Sequence, residues 1–466
     1  MSELYYQETR GSMAQFETLR PDHLQAAGSD FTYDQLSQEL SAHALSVGHV
    51  IHSSERALLS TYYADWNRGL YCEISLQPGD WDQICRTLLR LSDKLSHGNQ
   101  NLLARDWELY YRWDVPVPML IYDFQHRYME IEENQVFAVW HAIYKRIDYS
   151  NGGWNDQVLE YVFSRAPVSA LPAPEQNGLV TIYRGMGELS QPPETAISWS
   201  THPGNALWFA NHSGRGTRLV IAEVSPANIV AYFPGFYHEN EVLVKPHTVQ
   251  NIRSADMLPA TQEVFIRLAA PMLLEFKRLG QLARRLGYSE TKESIFNVHG
   301  VHHILRVLFL SLVYFYHSGD DLTVEDKAVL IYFSILHDVG RTTEDYDEAH
   351  GDASVELIHN RNLRIKGVVL SKKDYRIAEL IIRYHCREDE QGLEAIKAKN
   401  WLSQREKSRA SKLFCICKDM DGLDRVRFNG LDYRMLRTPF ATRLPLIAGC
   451  LLKENFLAFL EMEGVK

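Results

Sequence analysis

The chain has 466 residues, of which 45% are hydrophobic and 23% charged, and this composition is typical of a globular protein with about two or three domains. A net charge of −10 argues against a general binder of nucleic acids or of anionic membranes. The 6 cysteines include no Cys-x-x-Cys pair, which is the usage expected of a reducing compartment.

The N-terminal segment lacks the charged-then-apolar pattern of a signal peptide. The longest apolar run, Val307 to Tyr316, is shorter than the ~20 residues that a membrane-spanning helix needs. We therefore expect a soluble, cytoplasmic protein without a membrane partner. Secretion by a signal-free route would leave the same sequence.

Helical periodicity dominates the first 120 residues, where no motif has catalytic spacing, so the sequence predicts a helical region of unknown role. A proline-rich connector at 166–174 follows, and its interior cannot be helical. The helices predicted before this connector lie at 55–62, 81–95, 137–144 and 158–163.

After the connector the hydrophobic period changes from that of helices to that of strands. Short runs rich in β-branched and aromatic residues are bounded by Gly, Pro and Asn, which indicates a compact β-rich domain from about 175 to 250. The predicted strands lie at 179–183, 196–200, 218–224, 229–233 and 241–244. From Thr261 onward the pattern is helical almost to the end.

These patterns together predict an α+β multidomain protein. Its parts are a helical N-terminal lobe, a small β-rich domain with a helical prelude, and an all-α C-terminal domain. The predicted boundaries are 1–120, 121–255 and 256–466.

Three of the predicted strands begin or end on polar residues that an apolar strand does not need. These segments are Tyr183-Arg184-Gly185, Ser198-Trp199-Ser200-Thr201 and Glu239-Asn240-Glu241. In this order and spacing, over residues 180–246, they resemble the arginine–serine–glutamate class of mono-ADP-ribosyltransferases with its Glu-x-Glu motif. The alternative is a solvated, Glu-rich strand beside a surface arginine.

The resemblance implies NAD as a substrate. Breaking the nicotinamide–ribose bond leaves an oxocarbenium-like sugar, which a nearby carboxylate stabilises. By the family pattern this carboxylate is Glu241. Glu239, two residues earlier and on the same side if the strand is extended, would accept a proton from the incoming nucleophile. The Glu-x-Glu pair implies a protein acceptor that offers a guanidinium group.

The remaining residues of this motif are assigned by the resemblance to cofactor binding. Arg184 would pair with the NAD pyrophosphate, and Gly185 would let the backbone approach it. Ser198 would orient Glu241, although Ser200 and Thr201 offer further hydroxyls for the same task.

A second set of polar residues lies in the C-terminal half, where His337-Asp338 ends the apolar run 331–336. His303 lies on a preceding helix, and a later predicted helix carries Asp419 and Asp421. Imidazole nitrogen and carboxylate oxygen together suit Fe, Mn, Zn or Mg. The spacing therefore predicts a divalent-metal site.

This series looks like the HD phosphohydrolase superfamily over about residues 290 to 430. The resemblance implies His303, His337, Asp338 and Asp421 as metal ligands. Helical geometry alone does not choose between Asp421 and Asp419, and the Asp-Gly-Leu stretch that begins at Asp421 matches the family better.

Further histidines surround this series. His299 shares a helical face with His303 if the helix starts early. His350 and His385 match histidines that hold a second metal or bind substrate phosphate in some family members, or they are plain helix-terminal histidines. Arg341 and Arg306 are candidate phosphate ligands, with an ordinary ion pair as the alternative for each.

The two resemblances together predict a bifunctional protein modifier of the effector or toxin kind. An NAD-dependent transferase would modify a protein, and a metal-dependent phosphodiesterase would cleave a phosphate bond in the product or in a related nucleotide. One alternative is a stand-alone HD-type nucleotide phosphohydrolase whose β-rich domain only binds. Another is an inactive scaffold.

Overall fold

The computed structural model of the chain divides into two compact units, one within residues 1–169 with 189–191, the other within 170–188 and 192–466. No helix among the described residues is long and apolar enough to cross a bilayer. The described residues are 16–26, 29–53, 61–65, 70–74, 76, 81–96, 117–147, 153–167, 170–187, 190–212, 216–235, 239–286, 288, 299–343, 347–428 and 430–452.

The first unit combines a four-stranded antiparallel sheet with helices. The strands, in sheet order, are β1 (Phe16–Thr18), β2 (Val50–Ser53), β3 (Thr61–Asp65) and β4 (Leu70–Glu73). The helices are α1 (Pro21–Ala26), α2 (Tyr33–Ala42), α3 (Trp81–Ser96), α4 (Val117–Arg127), α5 (Val136–Tyr144) and α6 (Asp156–Phe163). A buried cluster that includes Leu36, Leu40, Tyr63 and Leu88 joins the sheet to α2 and α3.

The sheet corrects the expectation of a mainly helical N-terminal lobe. Residues 61–62, predicted as the end of a helix, lie in β3 and pair with β2 and β4. The run that begins at Thr61 is β-branched and aromatic, and such residues favour β-strands. Matching apolar residues to helical spacing over so short a segment does not detect this preference. The rest of that predicted helix, 55–60, lies outside the described residues. The helices predicted at 81–95, 137–144 and 158–163 are confirmed as α3, α5 and α6.

The second unit contains a six-stranded antiparallel sheet in the order β10-β7-β5-β6-β9-β8. All five predicted strands are confirmed. The edge strand β10 was missed, because its sequence Gln-Asn-Ile-Arg-Ser is mostly exposed and carries no apolar alternation. The strands are β5 (Val180–Gly187), β6 (Ser198–Ser200), β7 (Gly216–Val224), β8 (Ile229–Phe233), β9 (Glu241–Val244) and β10 (Gln250–Ser254).

Helices make up the rest of this unit, as predicted from Thr261 onward. Several begin at side-chain caps; Thr323 with Asp326, and Ser403 with Glu406, form capping boxes. The helices are α7 (Pro203–His212), α8 (Gln262–Ala269), α9 (Leu273–Arg284), α10 (Val301–His317), α11 (Val324–Leu336), α12 (His350–Asn360), α13 (Lys372–Tyr384), α14 (Asp389–Lys397), α15 (Gln404–Leu423) and α16 (Pro445–Cys450).

The six-stranded sheet and the helices that follow it share one hydrophobic core. Tyr183, Leu219 and Ile221 lie on one face of the sheet and belong to the same buried cluster as the apolar residues of α10 and α11. The other face has its own cluster, which includes Ile182 and Val242. The predicted boundary near residue 255 therefore falls inside a single compact unit.

Candidate functional sites

Three helices bring the four predicted metal ligands together. His303 is the third residue of α10, which is buried along most of its length. His337 is the C-cap of α11, and Asp338 follows it. Asp421 lies in the last turn of α15. Both histidines are fully buried, so the packing of the helices restricts their positions.

The ligand atoms of this group are spaced as around one cation. The His303 Nε2 atom lies 3.2 Å from His337 Nε2, 3.6 Å from Asp338 Oδ2 and 3.4 Å from Asp421 Oδ1. His337 Nε2 lies 3.7 Å from the same Asp421 oxygen. Ligands held at metal–ligand distances of about 2.0–2.2 Å are separated by about 2.8–3.6 Å. The donor set therefore fits a divalent cation.

A second group lies on the other oxygen of Asp338. His350 Nε2 is 3.2 Å from Asp338 Oδ1, His385 Nε2 is 3.5 Å from it, and the two imidazole nitrogens are 3.0 Å apart. Asp338 thus faces one pair of histidines with each oxygen. Gly351 makes this possible, because a Cβ there would lie 2.6 Å from the Ile382 carbonyl oxygen and would push α12 away from α13.

Each of the four imidazoles bonds outward through Nδ1. The acceptors are Asp424 Oδ2 for His303 at 2.7 Å, Phe333 O for His337 at 3.2 Å, Asp347 O for His350 at 2.5 Å and Ile382 O for His385 at 2.6 Å. An Nδ1 that donates leaves Nε2 as a lone pair in the neutral ring. The Nε2 atoms then face each other at 3.2 Å between His303 and His337 and at 3.0 Å between His350 and His385, a spacing that a bound cation would satisfy.

The carboxylates and imidazoles of this group shift one another's pKa values. Burial alone would raise the pKa of Asp338, but His337, His350 and His385 together hold that pKa well below its ordinary value. Burial would lower the pKa of His337, yet the Asp338 and Asp421 carboxylates raise it. For His385 burial dominates, and its pKa is lowered. The centre therefore presents ionised carboxylates.

Asp424 is the functional residue that the sequence analysis missed. It is fully buried, and besides His303 it accepts hydrogen bonds from Arg306 Nε at 2.5 Å and Arg427 Nη1 at 2.7 Å. Burial would raise its pKa, but Arg306 and Arg427 hold that pKa far below its ordinary value. Arg306 is therefore the ion-pair partner that one of the two alternatives predicted. The only signal in the sequence is an aspartate three residues after Asp421.

Asp419, the other aspartate of α15 considered as a ligand, points away from the centre. Its buried carboxylate accepts hydrogen bonds from the backbone N–H groups of Arg437 and Thr438 at 2.8–3.1 Å, and from the Thr438 hydroxyl at 2.7 Å. Asp421, whose side chain is 31% exposed, faces the imidazoles. Of the two aspartates, Asp421 is therefore the one that lies beside the candidate ligands.

His299 and Arg341 lie at the edge of the centre. The helix α10 begins after its N-cap Gly300, so His299 precedes it and the predicted shared helical face is wrong. Its ring still lies 5.7 Å from the His303 ring, centroid to centroid. Arg341 donates through Nε to the Thr343 carbonyl oxygen at 2.9 Å and reaches the His350 ring with Nη1.

A cleft of about 780 Å³ is lined by Asp338, His350, His385 and Asp421 of the candidate centre, and by His299 and Arg341. Its volume is in the range of small-molecule sites, roughly 300–1,000 Å³. Its far wall comes from the segment after α15, which contributes Phe428, Met435 and Leu436. The cleft therefore combines the candidate metal centre with a wall that carries both apolar and charged side chains.

In the transferase-like motif, the structure connects Arg184, Ser198 and Glu241. Strand β6 lies between β5 and β9, so the three residues come from adjacent strands. The Ser198 hydroxyl donates to Glu241 Oε1 at 2.7 Å, and Arg184 Nη1 donates to the Ser198 carbonyl oxygen at 2.5 Å. Ser198 is thus the hydroxyl that holds Glu241.

Because successive side chains of a strand point to opposite faces, Arg184 and Glu241 leave the sheet on different faces. Ile182 and Val242 belong to one buried cluster, so Arg184 leaves β5 on that face, while Glu241, next to Val242, leaves β9 on the opposite face. The connection between them runs through the backbone of Ser198. The Arg184 guanidinium is thereby hydrogen-bonded to the backbone of the strand that carries Ser198.

One expectation for this motif is wrong in its geometry. Glu239 has a φ of 60° and lies in a turn before β9, so strand alternation does not place it beside Glu241. The turn is held by the Ser200 hydroxyl, which donates to the Glu239 carbonyl oxygen, and by the Thr201 N–H, which donates to Asn240. Gly185 packs against α7, where an added Cβ would lie 1.9 Å from the Ala206 carbonyl oxygen, so its missing side chain serves helix packing.

Comparison with known proteins does not assign the chain to a family. No family model, no curated protein and no solved structure matches it. The arguments for function therefore come from the two sites.

Proposed function

We propose that the chain is a metal-dependent phosphohydrolase of HD type, acting on a nucleotide or another phosphodiester. The observation that carries this proposal is the arrangement of four buried imidazoles around Asp338. Each points Nε2 inward, while Nδ1 donates to an outer acceptor. Imidazole nitrogens that converge on one carboxylate in this way are arranged as ligands of a cation would be.

The residues divide into two positions that share Asp338. His303, His337 and Asp421 would hold one cation with Asp338 Oδ2, and His350 and His385 a second with Asp338 Oδ1. A bound divalent cation, whether Mn, Fe, Mg or Zn, supplies charge neutralisation for a phosphoryl group and acidifies a water molecule. Asp424 fixes the His303 ring, as outer carboxylates do for ligating histidines.

Metal analysis and hydrolysis assays on paired histidine variants test this proposal. His350 and His359 lie on the same helix, but the His359 side chain is 57% exposed and pairs with Glu379. We expect the wild type to carry one or two ions and to hydrolyse bis(p-nitrophenyl) phosphate or a nucleotide. His350→Ala should lose metal and activity, whereas His359→Ala should keep both. A wild type that is free of metal after growth and reconstitution with Mn, Fe, Mg or Zn would refute the proposal.

An NAD-dependent mono-ADP-ribosyltransferase is the second candidate function. It is supported by the hydrogen bond between Ser198 and Glu241 on adjacent strands and by the attachment of Arg184 to the same serine. With both activities, the protein would modify a protein acceptor, with arginine as the expected side chain, and would cleave a phosphate bond in the product. Without the transferase, the β-rich part would be a binding module beside a stand-alone phosphohydrolase.

Labelled NAD distinguishes these two versions. We expect transfer of label to protein in a cell lysate by the wild type and by Glu263→Gln, a change on the exposed side of α8. Glu241→Gln should abolish the transfer, because the carboxylate that stabilises the sugar cation is lost. If wild type and Glu241→Gln label equally or not at all, the transferase is eliminated and the binding-module version remains.

A further inference from the structure

The far wall of the cleft is a short segment, residues 430–437, that we call the wall segment. It carries Asp432 and Met435 into the cleft and encloses a single turn of 3₁₀-helix, Tyr433–Met435. The Asp432 side chain caps this turn by accepting from the Arg434 N–H at 3.0 Å. An aspartate in this wall faces the space in which a phosphate ester would bind.

Arg434 neutralises this aspartate by a two-pronged ion pair. Its Nε lies 2.9 Å from Asp432 Oδ1 and its Nη2 lies 2.7 Å from Oδ2. Such fork-to-fork pairs fix the orientation of both groups. The Asp432 side chain is 21% exposed, so most of its surface is covered by protein.

The six-stranded sheet holds Arg434 in place. The third nitrogen, Nη1, donates to the Tyr183 hydroxyl at 3.1 Å. Tyr183 is buried in the core shared by the sheet and the helices, and it precedes Arg184 in β5. The phenol therefore connects the strand that carries the transferase-like motif to the wall of the metal-ligand cleft.

Several other cations along the cleft are paired with acids. Lys418 lies 2.6 Å from Asp389, and Arg427 lies 2.7 Å from Asp424. Arg425 is exposed on the cleft and has no ion pair among the described residues. With few uncommitted cations, the affinity of the cleft for a phosphate depends on keeping acids such as Asp432 neutralised.

We propose that Tyr183 and Arg434 are positioning residues for the cleft: they keep the Asp432 charge masked and so allow an anionic substrate to bind. The inference rests on the proposed phosphohydrolase function for the nature of the substrate. It makes the sheet part of the substrate-binding apparatus, whether or not the sheet is itself catalytic.

Binding of inorganic phosphate to the full-length chain, followed by calorimetry, tests this inference together with KM and kcat for a phosphodiester. Arg434→Met exposes the Asp432 charge and should weaken phosphate binding and raise KM by roughly three- to tenfold, with kcat little changed. Tyr183→Phe should act in the same direction and more weakly. Arg405→Met, an exposed arginine on α15, is the matched control and should leave phosphate binding unchanged.

The double variant Arg434→Met/Asp432→Asn separates masking from a structural role. Removal of the unmasked charge should restore wild-type phosphate affinity. If the double variant binds as weakly as Arg434→Met, or if Arg434→Met binds as well as the wild type, the inference is overturned.

Metal content separates this inference from the proposed function. A metal-loaded, active wild type with an unaffected Arg434→Met variant overturns the inference alone. A metal-free chain that still shows the expected phosphate pattern overturns the phosphohydrolase and keeps the masking role. A wild type that binds no phosphate overturns the inference.

Discussion

At the scale of single residues, the Asp424 carboxylate serves several partners at once. One carboxylate accepts from the His303 imidazole and from two guanidinium groups, Arg306 and Arg427, in a fully buried position. Removing one member of a buried charged network leaves the others without compensation. The residue that orients a ligand is therefore also a determinant of stability.

We expect Asp424→Asn to lower the free energy of unfolding by about 3–5 kcal/mol, because Arg306 remains as an uncompensated buried charge. Urea unfolding of the metal-free protein measures this change. Asp256→Asn is the control, since Asp256 pairs with Arg443 at the surface and is 83% exposed. A loss of less than about 1 kcal/mol is expected there. Equal losses for the two variants would contradict the role of Asp424.

The depressed pKa of Asp424 also predicts a pH dependence. An acid whose pKa is lower in the folded state stabilises the fold above its ordinary pKa and loses that contribution as pH falls. As the pH falls below about 4, the free energy of unfolding of the wild type should decrease more steeply than that of Asp424→Asn. Urea midpoints of the metal-free proteins across this range measure the difference. Parallel curves would show that Asp424 already titrates at its ordinary pKa in the fold.

At the scale of elements, the candidate centre depends on how closely helices approach. His350 and His385 meet because Gly351 lets the first turn of α12 lie on the end of α13. The helix α11 contributes two ligands because it ends at His337 and turns there. The separation of the two histidines of the second position is therefore determined by how closely the two helix backbones approach, rather than by the length of the side chains.

Gly351→Ala should separate α12 from α13, since its new methyl group would lie 2.6–2.7 Å from two carbonyl oxygens of α13. We expect a lower melting temperature and the loss of one bound ion, measured by metal analysis. Gly422→Ala is the stability control, because a methyl group there meets only Leu436 at 3.9 Å. In that helical position alanine should be neutral or stabilising by about 1 kcal/mol. A Gly351→Ala protein with wild-type metal content would contradict the account.

The sequence predicted the candidate ligands of the first position because short helical motifs carry them. His337-Asp338 follows an apolar run, and both residues stay local to one helix end. Asp424 could not be assigned, because its partners lie 118 and 121 residues away and only the fold brings them together. Glu239 was misplaced because strand alternation was extended into a turn with positive φ, a conformation that Asn240 favours but Glu239 does not indicate.

At the scale of the whole molecule, the six-stranded sheet and the C-terminal helices pack around one shared hydrophobic core. Leu219 on β7 and Leu308 on α10 belong to one buried cluster, and both are 0% exposed. A change in the sheet should therefore be felt in the helices that carry the candidate centre. Sequence patterning could not show this, because each segment satisfies its own periodicity whichever partner it packs against.

Leu219→Ala should lower the free energy of unfolding by about 2–5 kcal/mol, from lost burial and the cavity left behind. Because the core is shared, hydrogen exchange should accelerate in β7 and in α10 by the same factor. Leu36→Ala, in the core of the other unit, is the control and should leave exchange in α10 unchanged. Faster exchange in β7 alone after Leu219→Ala would show that the sheet unfolds independently.

The most direct test of the central claim is a crystal structure with anomalous diffraction data at the absorption edge of the bound metal. The account predicts a peak between the Nε2 atoms of His303 and His337 beside Asp338 Oδ2, and a second beside Oδ1 where two ions are bound. Density with these imidazoles turned apart, and no anomalous peak after metal loading, would contradict it.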